Sequence, residues 1–149
     1  MSIDHASFTI IRDYKAKPAR VFAAHAREDA KRTWFVDAEG WETAEYSLDF
    51  RPHGWEIWRG RYQGGPEIRN NTLYLDIVEN ARIILAYEMF AGDARLSASL
   101  LTITFAAHGG GTRLTLTEQG AYLDGGDGAR NREIGSRELL EALAKAVDG

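Results

Sequence analysis

ARNREIGSRELLEALAKAV, residues 129–147, is the stretch that decides the fold, because no other part of the chain has the pattern of a long helix. Apolar residues recur in it at close to 3.6 residues per turn and form one stripe: Ile134, Leu139, Leu140, Leu143 and Val147. The charged residues, Arg132 among them, fall on the remaining faces. At 1.5 Å per residue the helix would be roughly 25–30 Å long, enough to cross a β-sheet. A single stripe needs a partner surface, and the space between the two layers is the natural place for a ligand.

The start of this helix is also marked in the sequence. Asp127 can serve as the N-cap, because its side-chain oxygen can accept hydrogen bonds from the first turn. Gly125, Gly126 and Gly128 allow the chain to turn into the helix. The segment lacks the Lys-Ser/Thr pair that a phosphate-binding loop requires, so we assign it no phosphate-binding role.

Upstream of the helix, polar and apolar residues alternate in a series of segments that predict β-strands. These segments are residues 7–14, 43–50, 55–62, 72–78, 82–90, 96–107 and 112–119. Short turns separate successive segments from residue 43 onward, which is typical of an antiparallel meander. The segment 55–62 has bulky side chains at both parities, so the sequence leaves its inward face open.

Two short helices are predicted between the first two strands. Pro18 suits a first helical position, and Val21 and Phe22 begin a short buried face. A second short helix or turn follows over residues 28–34. The order is therefore strand, two short helices, about six strands and a long helix, an α+β arrangement. With 149 residues and no linker or repeat, we expect one domain over residues 1–149.

The composition excludes several classes of protein. The net charge of −4 and the isoelectric point near 5.6 oppose binding to nucleic acid, which needs a basic surface. The absence of cysteine excludes disulfides and thiolate chemistry. No run approaches eighteen apolar residues and the N-terminus lacks a signal-peptide pattern. We therefore expect a cytoplasmic protein that has neither nucleic acid nor membrane as its partner.

Motifs for catalysis or metal binding are missing from the sequence. The four histidines, His5, His25, His53 and His108, are scattered and show neither His-x-His nor His-Glu-x-x-His spacing. There is also no Gly-x-Ser-x-Gly elbow. We therefore predict no catalytic residue, no metal site and no cofactor.

Two groups of residues are candidates for the wall of a ligand cavity. The aromatic side chains either fill a solid core or stand around a cavity. The charged residues within apolar strands either face solvent or turn inward, where each would need a partner or a ligand. Turned inward, such a charge would orient the polar end of a ligand or act as an acid or base. The candidates from these two groups are Trp34, Phe35, Trp41, Tyr46, Trp55, Trp58, Arg59, Tyr87 and Glu88. Leu140, from the apolar stripe of the C-terminal helix, is a further candidate.

Four motifs, taken in order, resemble those of a known superfamily. They are residues 17–24 (KPARVFAA), Trp34-Phe35, residues 46–55 (YSLDFRPHGW) and residues 110–118 (GGTRLTLTE). Their order and spacing are similar to the START-like or SRPBCC superfamily, whose Bet v 1-like fold is called helix-grip. The chain most resembles the bacterial branch named after the activator of Hsp90 ATPase. The resemblance implies a curved antiparallel sheet of six to seven strands wrapped around the long C-terminal helix, with a cavity between them.

The chain departs from the usual pattern of this branch at three places. Glu28-Asp29 replaces the usual Asp-Pro after the first helix, and His53-Gly54 replaces a paired glycine. Ser136 stands where a tryptophan is common at the head of the last helix. Because serine is much smaller, we expect this change to enlarge the space beneath the helix.

The resemblance implies a binding site but no single reaction. Our leading hypothesis is that the cavity binds a small hydrophobic or amphipathic molecule, with no enzymatic activity or only a weak one. One alternative is an enzyme of the cyclase, dehydratase or hydrolase kind, with an acid or base in the same cavity. Another is a protein-interaction or stress-related co-chaperone-like module, which would use an exposed apolar patch or a sheet edge, with a homodimer as one possible form.

Overall fold

The structure, a computed structural model, describes residues 2–123 and 128–149. Seven strands and three α-helices make up the described chain. The strands are β1 (Asp4–Tyr14), β2 (Trp41–Leu48), β3 (Trp55–Tyr62), β4 (Ile68–Val78), β5 (Arg82–Ala91), β6 (Ala94–His108) and β7 (Gly111–Tyr122). The helices are α1 (Pro18–Ala26), α2 (Glu28–Lys31) and α3 (Gly128–Asp148). The predicted α+β class, with two short helices after the first strand, is confirmed.

All seven strands form one antiparallel sheet in the order β1-β7-β6-β5-β4-β3-β2. Strands β2 to β7 follow one another as a meander, as their short turns predicted. β1 instead pairs with the last strand, in a register that runs from Asp4 opposite Tyr122 to Tyr14 opposite Thr112. β1 and β2 are therefore the two edges of the sheet, which curves around α3.

The long helix α3 lies across the inner face of the sheet through its second half. Leu140, Leu143 and Val147 are buried, as the apolar stripe predicted. Ile134 is 47% exposed, so its assignment to the buried stripe is wrong. Arg132, predicted to lie on a polar face, instead turns inward in the first half of the helix. The predicted N-cap Asp127 lies outside the described residues.

Hydrogen bonds tie the C-terminal end of α3 to the end of β1. The phenol of Tyr14 donates to the carbonyl of Leu140 at 2.9 Å. The carboxylate of Asp148 accepts from the backbone N–H groups of Lys15 and Ala16 at 3.1 and 3.0 Å. These contacts fix the helix against the sheet at one end of the molecule.

The segment between β1 and β2 forms the rest of the helical layer. α1 begins at Pro18, and its residues Val21 and Phe22 are buried in the core. α2 is followed directly by a π-helical turn over Arg32–Val36, which buries Trp34. No helix in the described part of the chain is long and apolar enough to span a membrane.

Candidate functional site

A cavity of about 560 Å³ lies between the inner face of the sheet and the helices. Its size falls within the usual range for small-molecule sites, roughly 300–1,000 Å³. Much of its wall is aliphatic, and these side chains come from β5, β6, β7 and α3. They include Ile83, Leu85, Leu101, Ile103, Leu116, Leu139 and Leu140.

Aromatic side chains form one end of the cavity. Trp34 and Phe35 reach it from the π-helical turn, while Trp41 of β2 and Trp58 of β3 meet edge to face, with ring centres 5.3 Å apart. Trp34 is oriented by its indole N–H, which donates to the carbonyl of Ala24 at 2.9 Å. The rings therefore pack against each other and also border the cavity, so they do not fill a solid core.

A first buried polar cluster joins α2 to strands β2, β3 and β4. Nζ of Lys31 lies 2.8 Å from each carboxylate oxygen of Glu56. Glu56 also accepts from the phenols of Tyr46 at 2.7 Å and Tyr74 at 2.8 Å. Nζ is 3.2 Å from the Tyr74 oxygen and 4.5 Å from the centre of the Phe35 ring. The two buried charges are thus paired and hydrogen-bonded, which is the condition for burying them at all.

A second buried polar cluster surrounds Glu118 of β7, whose side chain is fully buried. Its carboxylate accepts from the phenols of Tyr87 at 2.5 Å and Tyr122 at 2.6 Å. The hydroxyl of Ser99 donates to it at 2.9 Å. Three donors from three strands therefore converge on one carboxylate.

Arg132 of α3 completes this second cluster from the helical layer. Its Nη1 lies 3.5 Å from the Glu118 carboxylate and donates to the phenol oxygen of Tyr87 at 2.8 Å. Its Nη2 donates to the hydroxyl of Ser97 at 2.8 Å. The guanidinium links the first half of α3 to the inner face of the sheet. This function explains why a charged residue occupies an inward position of the helix.

The tyrosines of both clusters act as permanent hydrogen-bond donors. Burial is the largest cause that raises the pKa of Tyr46, Tyr74, Tyr87 and Tyr122 well above the usual range. The charge of the neighbouring glutamate and the hydrogen bond to it raise the pKa further. The phenols are therefore protonated near pH 7, and each can donate to its glutamate.

His25 of α1 also lines the cavity and is almost fully buried. Its Nδ1 lies 2.9 Å from the carbonyl oxygen of Val21. The rings of Trp34 and Phe105 pack edge-on against it at 4.9 and 5.3 Å. Burial, with a smaller effect from the charge of Lys31, lowers the pKa of His25 to about 3. The imidazole is therefore neutral near pH 7.

With this geometry in place, the comparisons with known proteins identify the family. The sequence profile described as "Activator of Hsp90 ATPase homolog 1-like protein" matches residues 15–148. The chain belongs to this AHSA1-like family. The match covers nearly the whole chain, and it confirms the family that the four sequence motifs resemble.

Two solved structures with high identity to this AHSA1-like chain come from rhizobia. Mll3558 protein from Rhizobium loti is 49% identical, with a TM-score of 0.91 and coverage of 98% of this chain and 99% of its own. An uncharacterized protein from Rhizobium leguminosarum is 44% identical, with a TM-score of 0.91 and coverage of 99% and 97%. Protein CV1439 from Chromobacterium violaceum is 25% identical, with a TM-score of 0.79 and coverage of 96% and 97%. No curated protein matches the chain significantly.

Seven of the ten candidate residues of this AHSA1-like chain lie at the cavity or directly behind its wall. Tyr46 stands behind the wall, where its phenol donates to Glu56. The six that line the cavity are Trp34, Phe35, Trp41, Trp58, Tyr87 and Leu140. Ser136, where the family pattern often has tryptophan, also lines the cavity. Whether these residues bind a ligand stays a prediction.

The other three candidates lie on the outer face of the sheet, so their assignment to the cavity is wrong. Trp55 is 50% exposed, because its neighbour Glu56 takes the inward position in β3. Arg59 pairs with Glu45 at 2.8 Å and with Glu67 at 3.0 Å on the outside. Glu88 is held there by Asn71 at 3.0 Å and Arg95 at 2.7 Å.

Five charged residues that line the cavity were missing from the candidates: the exposed Glu138 and four that turn inward, Lys31, Glu56, Glu118 and Arg132. The inward position of Glu118 could have been predicted, because Glu118 follows Leu114 and Leu116 at alternate positions of a strand, and these positions face the core. Glu56 shares its face with Trp58, but bulky residues on both parities hid this. Lys31 and Arg132 gave no such signal, since charged residues in helices usually face solvent. Among residues 2–123 and 128–149, no group of three His, Asp or Glu side chains could hold a metal ion.

Proposed function

We propose that this protein binds a small apolar or amphipathic molecule in the cavity between the sheet and α3. The observation that carries the proposal is a space of about 560 Å³ whose wall is mostly aliphatic and aromatic. Water gains few hydrogen bonds against such a wall, so an apolar molecule that displaces it is favoured. The volume is several times that of one core side chain, which argues against a simple packing defect.

The state of the buried charges supports binding over chemical turnover. The enzymatic alternative needs an acid or base in the cavity. Glu138 at the cavity wall is exposed, and the buried carboxylates among the described wall residues are Glu56 and Glu118. Each already accepts hydrogen bonds from two phenols and faces a cation of the helical layer. Their hydrogen bonds join helices to sheet, which gives them a structural role that needs no substrate.

The proposal is tested first by native mass spectrometry of protein purified from its own host. A small molecule that is retained in the folded protein and released on denaturation would support it and would supply the ligand. The fluorescent probe N-phenyl-1-naphthylamine, which is neutral and largely apolar, provides the binding assay when no molecule is retained.

Gly135 offers a matched pair of variants for this assay. It lies on α3 at the cavity wall, and a Cβ built there meets no atom within 4 Å. Gly135→Phe should fill part of the cavity and weaken probe binding by about tenfold or more, a loss of about 1.4 kcal/mol. Gly135→Ala adds only a methyl group and should bind the probe nearly as the wild type does. Equal affinity in both variants would mean that the probe binds elsewhere, and the proposal would fail.

A further inference from the structure

The hydrogen bond of His25 fixes which of its ring nitrogens carries the proton. A backbone carbonyl can only accept, so Nδ1, 2.9 Å from the Val21 oxygen, must be the N–H donor. In the neutral ring the other nitrogen, Nε2, then has a free lone pair. Nε2 is therefore a hydrogen-bond acceptor whose orientation is set by the helix that carries it.

The surroundings of His25 indicate that the lone pair of Nε2 faces the cavity rather than packed core. His25 is 3% exposed and lines the cavity, and no residue within 2–123 and 128–149 donates to Nε2. Across the same ranges, every fully enclosed side-chain nitrogen or oxygen atom has a hydrogen-bond partner. Because Nε2 has no such partner, it is not fully enclosed and must retain some accessible surface. Because His25 is buried except where it lines the cavity, the accessible surface of Nε2 is assigned to the cavity.

The two buried clusters differ from His25 in this respect. Glu56 and Glu118 accept hydrogen bonds from neighbouring tyrosines. Lys31 and Arg132 donate hydrogen bonds within the same two clusters. A ligand group that donates to either glutamate would compete with the hydrogen bonds already there. At Nε2 it would form a new one, provided that it can donate.

The positive charge of Lys31 near His25 favours a neutral hydrogen-bond donor over a cationic one at Nε2. Lys31 is close enough to lower the pKa of the imidazole, so a second cation at Nε2 would be repelled. A neutral donor meets no such penalty, and the rings of Trp34 and Phe105 beside the imidazole favour an apolar body. A hydroxyl group on an apolar molecule meets both conditions.

We infer that the cavity selects apolar alcohols or phenols, whose hydroxyl group donates a hydrogen bond to Nε2 of His25. This inference rests on the proposed function, because it assigns a chemical class to the ligand of the same cavity. His25 is on this view a specificity-determining residue, and the aliphatic wall supplies affinity without discriminating among apolar molecules.

Two probes of similar shape test the inference by isothermal titration calorimetry. 2-Naphthol carries a hydroxyl donor, whereas 2-methoxynaphthalene has the same ring system without one. The wild type should bind 2-naphthol about 5- to 10-fold more tightly, as expected for one net hydrogen bond. His25→Phe should remove this preference, and His25→Gln, whose amide oxygen can accept, should retain part of it.

Each outcome distinguishes this inference from the proposed function. Equal affinity of the wild type for both probes would overturn the inference and leave the proposed function standing. Binding of neither probe would contradict both. If His25→Phe does not fold, NMR of the wild type still tests the hydrogen bond to His25. The ¹⁵N resonance of Nε2 should move on addition of 2-naphthol and stay unchanged with 2-methoxynaphthalene. An Nε2 resonance that ignores 2-naphthol while it binds would overturn the inference.

Discussion

Replacing Glu118 with glutamine removes the charge from the second buried cluster while it keeps the shape of the side chain. The carboxylate accepts from Tyr87, Tyr122 and Ser99 at 2.5, 2.6 and 2.9 Å, and Arg132 lies 3.5 Å away. The amide has one acceptor oxygen where the carboxylate has two. At least one phenol must therefore lose its partner, and the buried guanidinium loses its counter-charge.

The magnitude follows from these contacts. A hydrogen bond to a charged group contributes about 1.5–3 kcal/mol, and breaking a buried ion pair costs about 3–5 kcal/mol. Since the amide oxygen keeps some of the donors of Glu118, we expect Glu118→Gln to lower the free energy of unfolding by about 3 kcal/mol. For a chain of this length, such a loss would lower Tm by about 6–12 °C.

Equilibrium unfolding in urea measures this loss, with Glu45→Gln as the matched control. Glu45 also pairs with an arginine, at 2.8 Å, but on the exposed outer face, where solvent screens the pair. A loss at Glu118 no larger than the loss at Glu45 would refute the reasoning. A second variant separates the ion pair from the phenols: Arg132→Met should cost less in the Glu118→Gln background than in the wild type.

Three further predictions concern single groups. Tyr14→Phe removes the hydrogen bond to the Leu140 carbonyl and should lower the free energy of unfolding by about 1 kcal/mol in urea titrations. Gly135→Ala should raise Tm, because alanine stabilises a helix interior by about 0.5–1 kcal/mol and the added Cβ meets no atom. The pKa of His25 is about 3 when folded, below its unfolded value. The unfolded chain therefore binds the proton first, and stability should fall by about 1.2 kcal/mol between pH 6 and pH 5.

Each of these outcomes has a result that would contradict it. Unchanged stability of Tyr14→Phe would mean that its phenol makes no net contribution, and a lower Tm for Gly135→Ala would mean that the helix is strained there. For His25, the comparison is with His25→Phe, which should lose the part of the pH dependence between pH 6 and pH 5. Identical pH profiles of the two proteins would show that the imidazole does not titrate between the folded and unfolded states as described.

Much of the fold could be predicted because it depends on local patterns. The spacing of Leu140, Leu143 and Val147 marked the buried face of α3, and alternation marked the strands of the meander other than β3. The pairing of β1 with β7 could not be predicted from local sequence, because both strands have ordinary alternation and neither contains a pattern that specifies its partner. The resemblance of four motifs to the helix-grip fold supplied the curvature of the sheet.

The inward faces of the strands were harder to predict. β3 has a tryptophan at each parity, Trp55 and Trp58, so hydrophobicity could not decide between its faces. The deciding contact is the pairing of Glu56 with Lys31 of α2, which is tertiary. Irregularities between residues 43 and 45, 74 and 76, and 89 and 90 also shift the parity along three strands. Alternation could have placed Glu88 outward, since it is out of phase with the buried Leu85.

The pairing of β1 with β7 also affects the order in which the protein can fold during synthesis. Strands β2 to β7 can join their neighbours as soon as each hairpin has left the ribosome, because those contacts are close in sequence. β1 is made first but has to wait for a partner at the far end of the chain, and closing so long a loop costs entropy. Until β7 and α3 have been made, β1 has no strand partner and the phenol of Tyr14 has no Leu140 carbonyl to which it can donate. A nascent chain stalled before residue 111 would thus hold a free first strand beside an open sheet edge, the state in which such a protein is most exposed to aggregation.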